Sequence, residues 1–319
     1  MSKVTIGIPT RNRQDYLMLA VRSVLAQTYA DIEILVSDNA STDRTLSSLR
    51  AIDDPRLVVL TQPVDIGMAG NFNACLNSAS GEFFLMLSDD DLLEPTAVAR
   101  LVAPLLHGLN GYPAESIGIA WCPCAIINPA GETQWTTDGG PAIETPAALV
   151  VEVWSGTRGP RFSSVIVRTA DARAVGGYNG ERYGVLCDSP NWTMVALRYE
   201  AVACVNEPLV QYRTHASSAS RAAACSDWRR WGDVQFTDLQ PALKAHGLSD
   251  RELRAIRRKL LANLTVSVLL PSIGQPGSIP QMIREVLKAW QYFLTPHVAR
   301  RLFGECWKLT RYFRPRPQA

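Results

Sequence analysis

Three consecutive carboxylates, Asp89, Asp90 and Asp91, follow the apolar run Phe83 to Leu87 and Ser88. Like charges side by side at the end of an apolar segment repel unless a cation or hydrogen-bond donors share the site. Oxygen ligands suit Mg²⁺ or Mn²⁺, which commonly bind through one or two carboxylates plus the phosphates of a substrate. The competing reading is a solvated acidic turn, with an aspartate capping the helix that opens near Pro95. The triplet alone does not choose between them.

Periodicity shows what must position these carboxylates. Phe83 to Leu87 is too short for a typical helix and reads as a strand buried on both faces. Ahead of it, Val4 to Pro9 is a strand, and Gln14 to Gln27 carries apolar residues at helical spacing. Ile32 to Val36 is a strand running into Asp38. Ser41, Thr42 and Asp43 cap a helix reaching about Ile52, Leu57 to Leu60 is a third strand, and Met68 to Ala79 forms a helix. Strand and helix in alternation with short connections predict a parallel sheet with right-handed crossovers, whose ligands bind at the carboxyl ends of the strands. Thr10, Asp38 and the acid triplet fall on that one edge. After the first strand, IPTRNR holds neither a glycine-rich pyrophosphate turn nor a P-loop, so a nucleotide bound here needs its phosphates neutralised in another way.

Composition bounds the classes. The 319 residues are 47% apolar and 19% charged, which is globular. The start, MSKVTIGIP, runs directly into a strand without an apolar signal region, so a cytoplasmic start is expected. Seven cysteines, an odd number, do not make a secreted disulfide framework. Cys122 and Cys124 share one face of a strand and read as core. The net charge of +2 hides an asymmetry: residues 226–319 hold 16 Lys and Arg against 7 Asp and Glu, so this stretch is +9 and the rest is −7. No motif points to nucleic acid. The basic stretch suits an anionic membrane surface or a solvated helical face.

Five blocks carry a resemblance. VTIGIPTRNR, EILVSDNASTD and NFNACLNSASGEFFLMLSDDDLLEP, followed by GGYNGERYGVLCDSPNW and QYRTHASSAS, resemble family 2 glycosyltransferases in order and spacing, from about Val4 to Ser220. The resemblance implies an α/β glycosyltransferase-A fold, a Rossmann-like, mostly parallel sheet with flanking helices, here with a C-terminal helical extension. Residues 1–222 are then the catalytic domain, with 1–95 the nucleotide-sugar half and 96–222 the acceptor half, and 223–319 form a helical region.

Roles follow from the resemblance residue by residue. Pro9, Thr10, Arg11, Asp38, Asn71, Asp89 and Arg213 are expected around the nucleotide sugar, with Asp38 on the base or ribose and Arg213 on the phosphates. The family pattern Asp-x-Asp-Asp aligns with Ser88-Asp89-Asp90-Asp91, so Ser88 replaces the first acid. Asp90, Asp91 and His215 are the expected metal group for Mn²⁺ or Mg²⁺, with Asp90 the main ligand and Asp91 in support. Asp188 is the expected general base, and Trp192, four residues on, is expected at the acceptor. Ser189 and Pro190 are expected to open a helix whose dipole keeps Asp188 ionised. Cys187 stands where the family usually has Glu. The reaction implied is metal-dependent, inverting transfer of a sugar from a nucleoside diphosphate donor, UDP or dTDP type, to a hydroxyl of a glycan, lipid-linked or related acceptor in polysaccharide or glycoconjugate assembly.

Two alternatives stay open. A nucleotide-sugar-binding or scaffold domain without turnover fits the Ser88 and Cys187 departures, and a sugar-phosphate nucleotidylyltransferase shares a related sheet but needs a glycine-rich opening loop. Between Ile117 and Val167 the chain reads as strands and loops with a turn at Asn128 to Gly131, and Trp121, Trp135 and Trp154 are either core or sugar-stacking residues. Ser249 to Glu252 is a capping box opening a helix toward Leu270, and Pro280 to Phe293 and Pro296 to Phe313 read as two more amphipathic helices. Peripheral membrane contact and homodimerisation are both open readings for them.

Overall fold

The computed structural model describes residues 2–215 and 225–269. The chain divides into two compact units, Met1–Val153 with Thr157–Ser218, and Trp154–Gly156 with Ala219–Ala319.

The first unit opens as the periodicity predicts: β1 (Val4–Thr10), α1 (Gln14–Leu25), β2 (Ile32–Asp38), α2 (Thr45–Arg50), β3 (Leu57–Thr61), α3 (Gly67–Ser78) and β4 (Phe83–Met86). Strands β1, β2, β3 and β4 pair in parallel. Burial on both faces explains why β1 and β4 read as continuous apolar runs. Gly7 in β1 is required by a close approach, since a Cβ there would lie 2.8 Å from Phe84 Cζ and 2.9 Å from Cys75 Cβ.

Next come β5 (Leu92–Leu93), α4 (Ala97–His107), β6 (Ile117–Trp121), β7 (Cys124–Ile127), β8 (Thr133–Thr136), β9 (Ile143–Glu144) and α5 (Pro146–Ser155). They are followed by β10 (Val165–Arg168), α6 (Thr169–Ala174), α7 (Gly180–Tyr183), α8 (Asp188–Ala196), β11 (Ala201–Cys204) and β12 (Val210–Arg213). The main sheet has the order β3-β2-β1-β4-β10-β6-β11-β9, and a smaller sheet has the order β5-β12-β7-β8. Strand β10 runs antiparallel to β4, so the parallel winding ends at β4, one strand from β1. The acid triplet emerges at that strand's end. Helix α5 corrects the expectation of strands and loops alone between Ile117 and Val167; its sequence, PAALVVEVWS, is apolar nearly all round and gives no helical stripe.

The second unit contains α9 (Cys225–Ala245) and α10 (Asp250–Leu269). The capping box forms as expected: Ser249 N–H donates to Glu252 Oε2 at 2.9 Å, and Glu252 N–H donates to Ser249 Oγ at 3.4 Å. A Cβ on Gly232 of α9 would meet Leu264 of α10 at 2.2 Å, so the two helices approach closely at this glycine. The helices expected over 280–293 and 296–313 lie outside the described residues.

Candidate active site

The carboxyl edge of the main sheet starts from a row in register, Thr10 beside Asp38 beside Thr61. The loops after β1 and β2 clasp each other there. Asn12 N–H donates to Ser41 Oγ at 2.9 Å, and Thr42 N–H donates to Asn12 Oδ1 at 2.7 Å. Both loops turn through left-handed backbone at non-glycine residues, Asn12 (φ 53°) and Ala40 (φ 56°). Asn tolerates this region, whereas an alanine there costs about 1–2 kcal/mol. Strained backbone of this kind clusters where a binding surface must be held in shape.

Asp38 is fully buried and uses one oxygen, Oδ2, to accept from Ser41 N–H at 3.2 Å; its Oδ1 has no partner. Asn71 of α3 reaches the same strand ends, donating to Ser37 O at 3.0 Å and Thr10 O at 3.3 Å, and its Oδ1 is also without a partner. Buried acceptors left unsatisfied at this sheet edge are costly unless a ligand brings donors. Arg11 is half-exposed and pairs with Asp65, in the loop after β3. Pro9 is buried within β1.

The triplet divides its carboxylates among three neighbourhoods. Asp89 accepts from Thr10 Oγ1 at 2.7 Å and from Arg13 Nη1 at 3.2 Å. Asp90 accepts from Ser88 Oγ at 2.6 Å and Arg13 Nη1 at 3.0 Å, and its Oδ2 lies 2.7 Å from His215 Nε2. Asp91 has both oxygens bonded, Oδ2 to Ser163 Oγ at 2.6 Å and Oδ1 to the main-chain N–H of Arg213 at 2.8 Å. Burial, opposed by Arg13 and reinforced by Asp90, pushes the Asp89 carboxyl up to about 6. Burial and Asp90 together also raise that of Asp91. The site thus concentrates negative charge that its own cations only partly offset.

Arg213 is buried and directs its guanidinium into protein carbonyls: Nε donates to Asp90 O at 2.9 Å, and Nη1 to Asn128 O and Pro129 O at 3.1 and 3.0 Å. The turn of the β7–β8 hairpin is thereby fastened to the triplet. Tyr16 of α1 contacts both Arg213 and His215, stacked on His215 with centroids 5.6 Å apart and under Arg213 Cζ at 4.9 Å.

Asp188 begins α8 instead of preceding it, so the cap expected at Ser189 falls inside the first turn. Its carboxyl borders a cavity of about 20 Å³, room for one water, lined with Phe84, Met86, Phe162, Tyr178, Asn191 and Trp192 among others. Burial outweighs the favourable Ser189 N–H and pushes Asp188 up to about 6, which leaves the carboxyl mostly ionised at neutral pH. A carboxylate at this value suits a general base working near neutral pH. Trp192, expected at the acceptor, lines the same cavity.

Among the described residues no group of three or more His, Cys, Asp or Glu side chains is arranged as a ready-made metal cage. The donor set still fits a hard divalent ion. Asp90 Oδ2 and His215 Nε2 converge beside the Asp89 carboxylate, offering the few protein ligands that Mg²⁺ or Mn²⁺ takes when substrate phosphates complete the shell.

Residues 5–112 match the model of glycosyl transferase family 2. The match takes in the strand–helix alternation from β1 to α4, about a third of the chain. A curated relative, the Campylobacter jejuni GalNAc(5)-diNAcBac-PP-undecaprenol beta-1,3-glucosyltransferase, is 41% identical over 111 residues, 34% of this chain and 36% of that protein. The chain thus spans well under two thirds of the curated relatives it matches. Among solved structures, S. aureus TarS 1-349 in complex with UDP-GlcNAc is 17% identical and superposes with a TM-score of 0.66, covering 91% of this chain and 81% of that one. The Pyrobaculum calidifontis mannosyltransferase PcManGT, in complex with GDP-Man and Mn²⁺, is 16% identical with a TM-score of 0.56, covering 96% of this chain and 80% of that one. These likenesses show the glycosyltransferase-A fold.

Three residues that contact the expected site residues stand out from no sequence pattern read above: Arg13, Tyr16 and Ser163. Arg13 and Tyr16 had a usable signal, since a spacing of three at the start of a helix puts both on one face toward the sheet edge. Ser163 stands 72 positions after Asp91, and no local pattern announces that pairing.

Proposed function

We propose that this protein is an inverting glycosyltransferase that moves a sugar from a nucleoside diphosphate sugar to a hydroxyl of a lipid-linked or polysaccharide acceptor. The observation that carries the reading is the pair of unsatisfied buried acceptors, Asp38 Oδ1 and Asn71 Oδ1, joined through Thr10 to the acid triplet. A nucleoside offers base N–H and ribose O–H donors for such acceptors. A UDP- or dTDP-type donor is favoured because the N3–H of such a base meets a carboxylate directly.

Asp90 and His215 would hold Mn²⁺ or Mg²⁺, with Asp89 beside them. A divalent ion, when bound, offsets charge on the diphosphate. Asp91 and Arg213 keep the triplet and the hairpin turn in place. Asp188 accepts the proton of the acceptor hydroxyl as that oxygen attacks the anomeric carbon from the face opposite the diphosphate, and inversion follows from this single displacement. The aromatic lining around Asp188 limits water at that carboxylate. The undecaprenol-linked substrate named for the Campylobacter relative supports a lipid-linked acceptor. A basic C-terminal stretch supports a meeting with such an acceptor at an anionic membrane surface in the cytoplasm.

The test is thermal stabilisation by UDP, dTDP, GDP and ADP, each with and without Mn²⁺. A rise with one base that needs the ion supports the donor site. No rise with any of the four refutes it.

A further inference from the structure

Three guanidinium groups near the acid triplet are committed to protein oxygens: Arg11 to Asp65, Arg13 to Asp89 and Asp90, and Arg213 to carbonyls. A fourth, Arg161, is different. It is exposed, and among the described residues it has no carboxylate partner. Its main chain is fixed, with Arg161 N–H donating to Ser164 Oγ at 2.8 Å and Ser164 Oγ donating to Arg161 O at 3.1 Å. Its Cζ stands 5.9 Å from the ring centroid of Tyr212, in the strand that ends at Arg213. An aromatic face holds a guanidinium without neutralising it, so the full charge and the planar fork remain available.

The position connects both halves of the chemistry. Two residues on, Ser163 Oγ donates to Asp91 and accepts from Ser88 N–H at 3.0 Å. The intervening Phe162 lines the cavity beside Asp188. Arg161 also acts on Asp188 electrostatically, opposing the upward push of burial. An exposed guanidinium without a carboxylate hydrogen-bond partner among the described residues therefore neighbours both the triplet's support and the candidate base, and its planar fork can bind phosphate oxygens bidentately.

We propose that Arg161 binds a phosphate group at the mouth of this site, the role that the family resemblance implies for Arg213. The inference rests on the glycosyltransferase reading. The phosphate has two sources, the diphosphate of the donor or that of a lipid-linked acceptor, and the two are separable.

Calorimetric binding of UDP, uridine and farnesyl diphosphate is to be measured on the native protein, Arg161→Ala and Arg161→Lys, with circular dichroism confirming the fold. A loss of about tenfold or more for UDP in Arg161→Ala, partly restored in Arg161→Lys, with uridine unchanged, assigns the donor phosphate. The same loss confined to farnesyl diphosphate assigns the acceptor. Native-like affinity of Arg161→Ala for both diphosphates overturns the proposal while leaving the glycosyltransferase reading intact. Failure of the native protein to bind any of the three probes overturns both.

Discussion

Replacing Asp188 with Asn should make the protein more stable and inactive at once. The carboxyl stands at about 6 in the fold against an ordinary 3.8, because burial disfavours its charged form. That rise is worth about 3 kcal/mol of destabilisation once the group is ionised in both states. A group raised by folding contributes its stabilising share below the unfolded value of 3.8 and loses it as pH climbs through about 6. Asn matches the shape of the neutral acid and keeps an oxygen to accept from Ser189 N–H. The variant should therefore exceed native stability by up to about 3 kcal/mol at pH 8, which for a unit of this size is roughly 6–10 °C in Tm. The difference should close near pH 4. Melting curves of both proteins from pH 4 to 8 read this directly, with sugar transfer assayed in parallel. A variant no more stable than native at pH 8, or an advantage that persists at pH 4, refutes the burial argument; undiminished transfer removes Asp188 as the base.

Native kcat/KM should fall as pH drops through about 6, where Asp188 takes up its proton, and a profile flat from pH 5 to 8 would contradict that role. Asp38→Ala removes an acceptor with an unused oxygen, so nucleotide affinity should drop about tenfold or more while Tm changes little; calorimetry with UDP against a melting curve separates the two. Asp90→Asn keeps an oxygen for Ser88 Oγ but weakens the cation site, and Mn²⁺-dependent stabilisation by UDP should shrink, an unaltered Mn²⁺ titration counting against the assignment. Ala40→Gly relieves the left-handed backbone at φ 56° and should raise stability by about 0.5–1 kcal/mol in denaturant titration, with a loss showing that the strain is absent.

The sequence makes the nucleotide end legible because its signals are local. Strands β1 and β2 extend as far as Thr10 and Asp38, one or two residues beyond the expected runs, because polar ends of buried strands still pair in the ladder. The acid triplet is visible as a cluster, but the separate fates of its three carboxylates are not. Adjacent residues in a turn point in different directions, and the partners of Asp91 come from Ser163 and Arg213, more than 70 positions on. Arg213 looks like a phosphate ligand by type and place, yet the donors of a guanidinium serve carbonyls equally well, and only the hairpin turn at Asn128 and Pro129 decides which. Helix α5 hides for another reason, since β-branched residues at Val150, Val151 and Val153 suit a strand and its apolar surface continues around the axis.

The bonding of Asp91 also bears on where this molecule can be cut. The family match ends at residue 112, and a fragment ending there contains a complete parallel four-strand core. It would nevertheless strip Asp91 of both its partners and leave β4 without the β10 neighbour that closes its far side. A recognisable segment is therefore not a foldable one here: shuffling this nucleotide-binding portion onto another acceptor module requires carrying β10, β12 and the Ser163 turn with it.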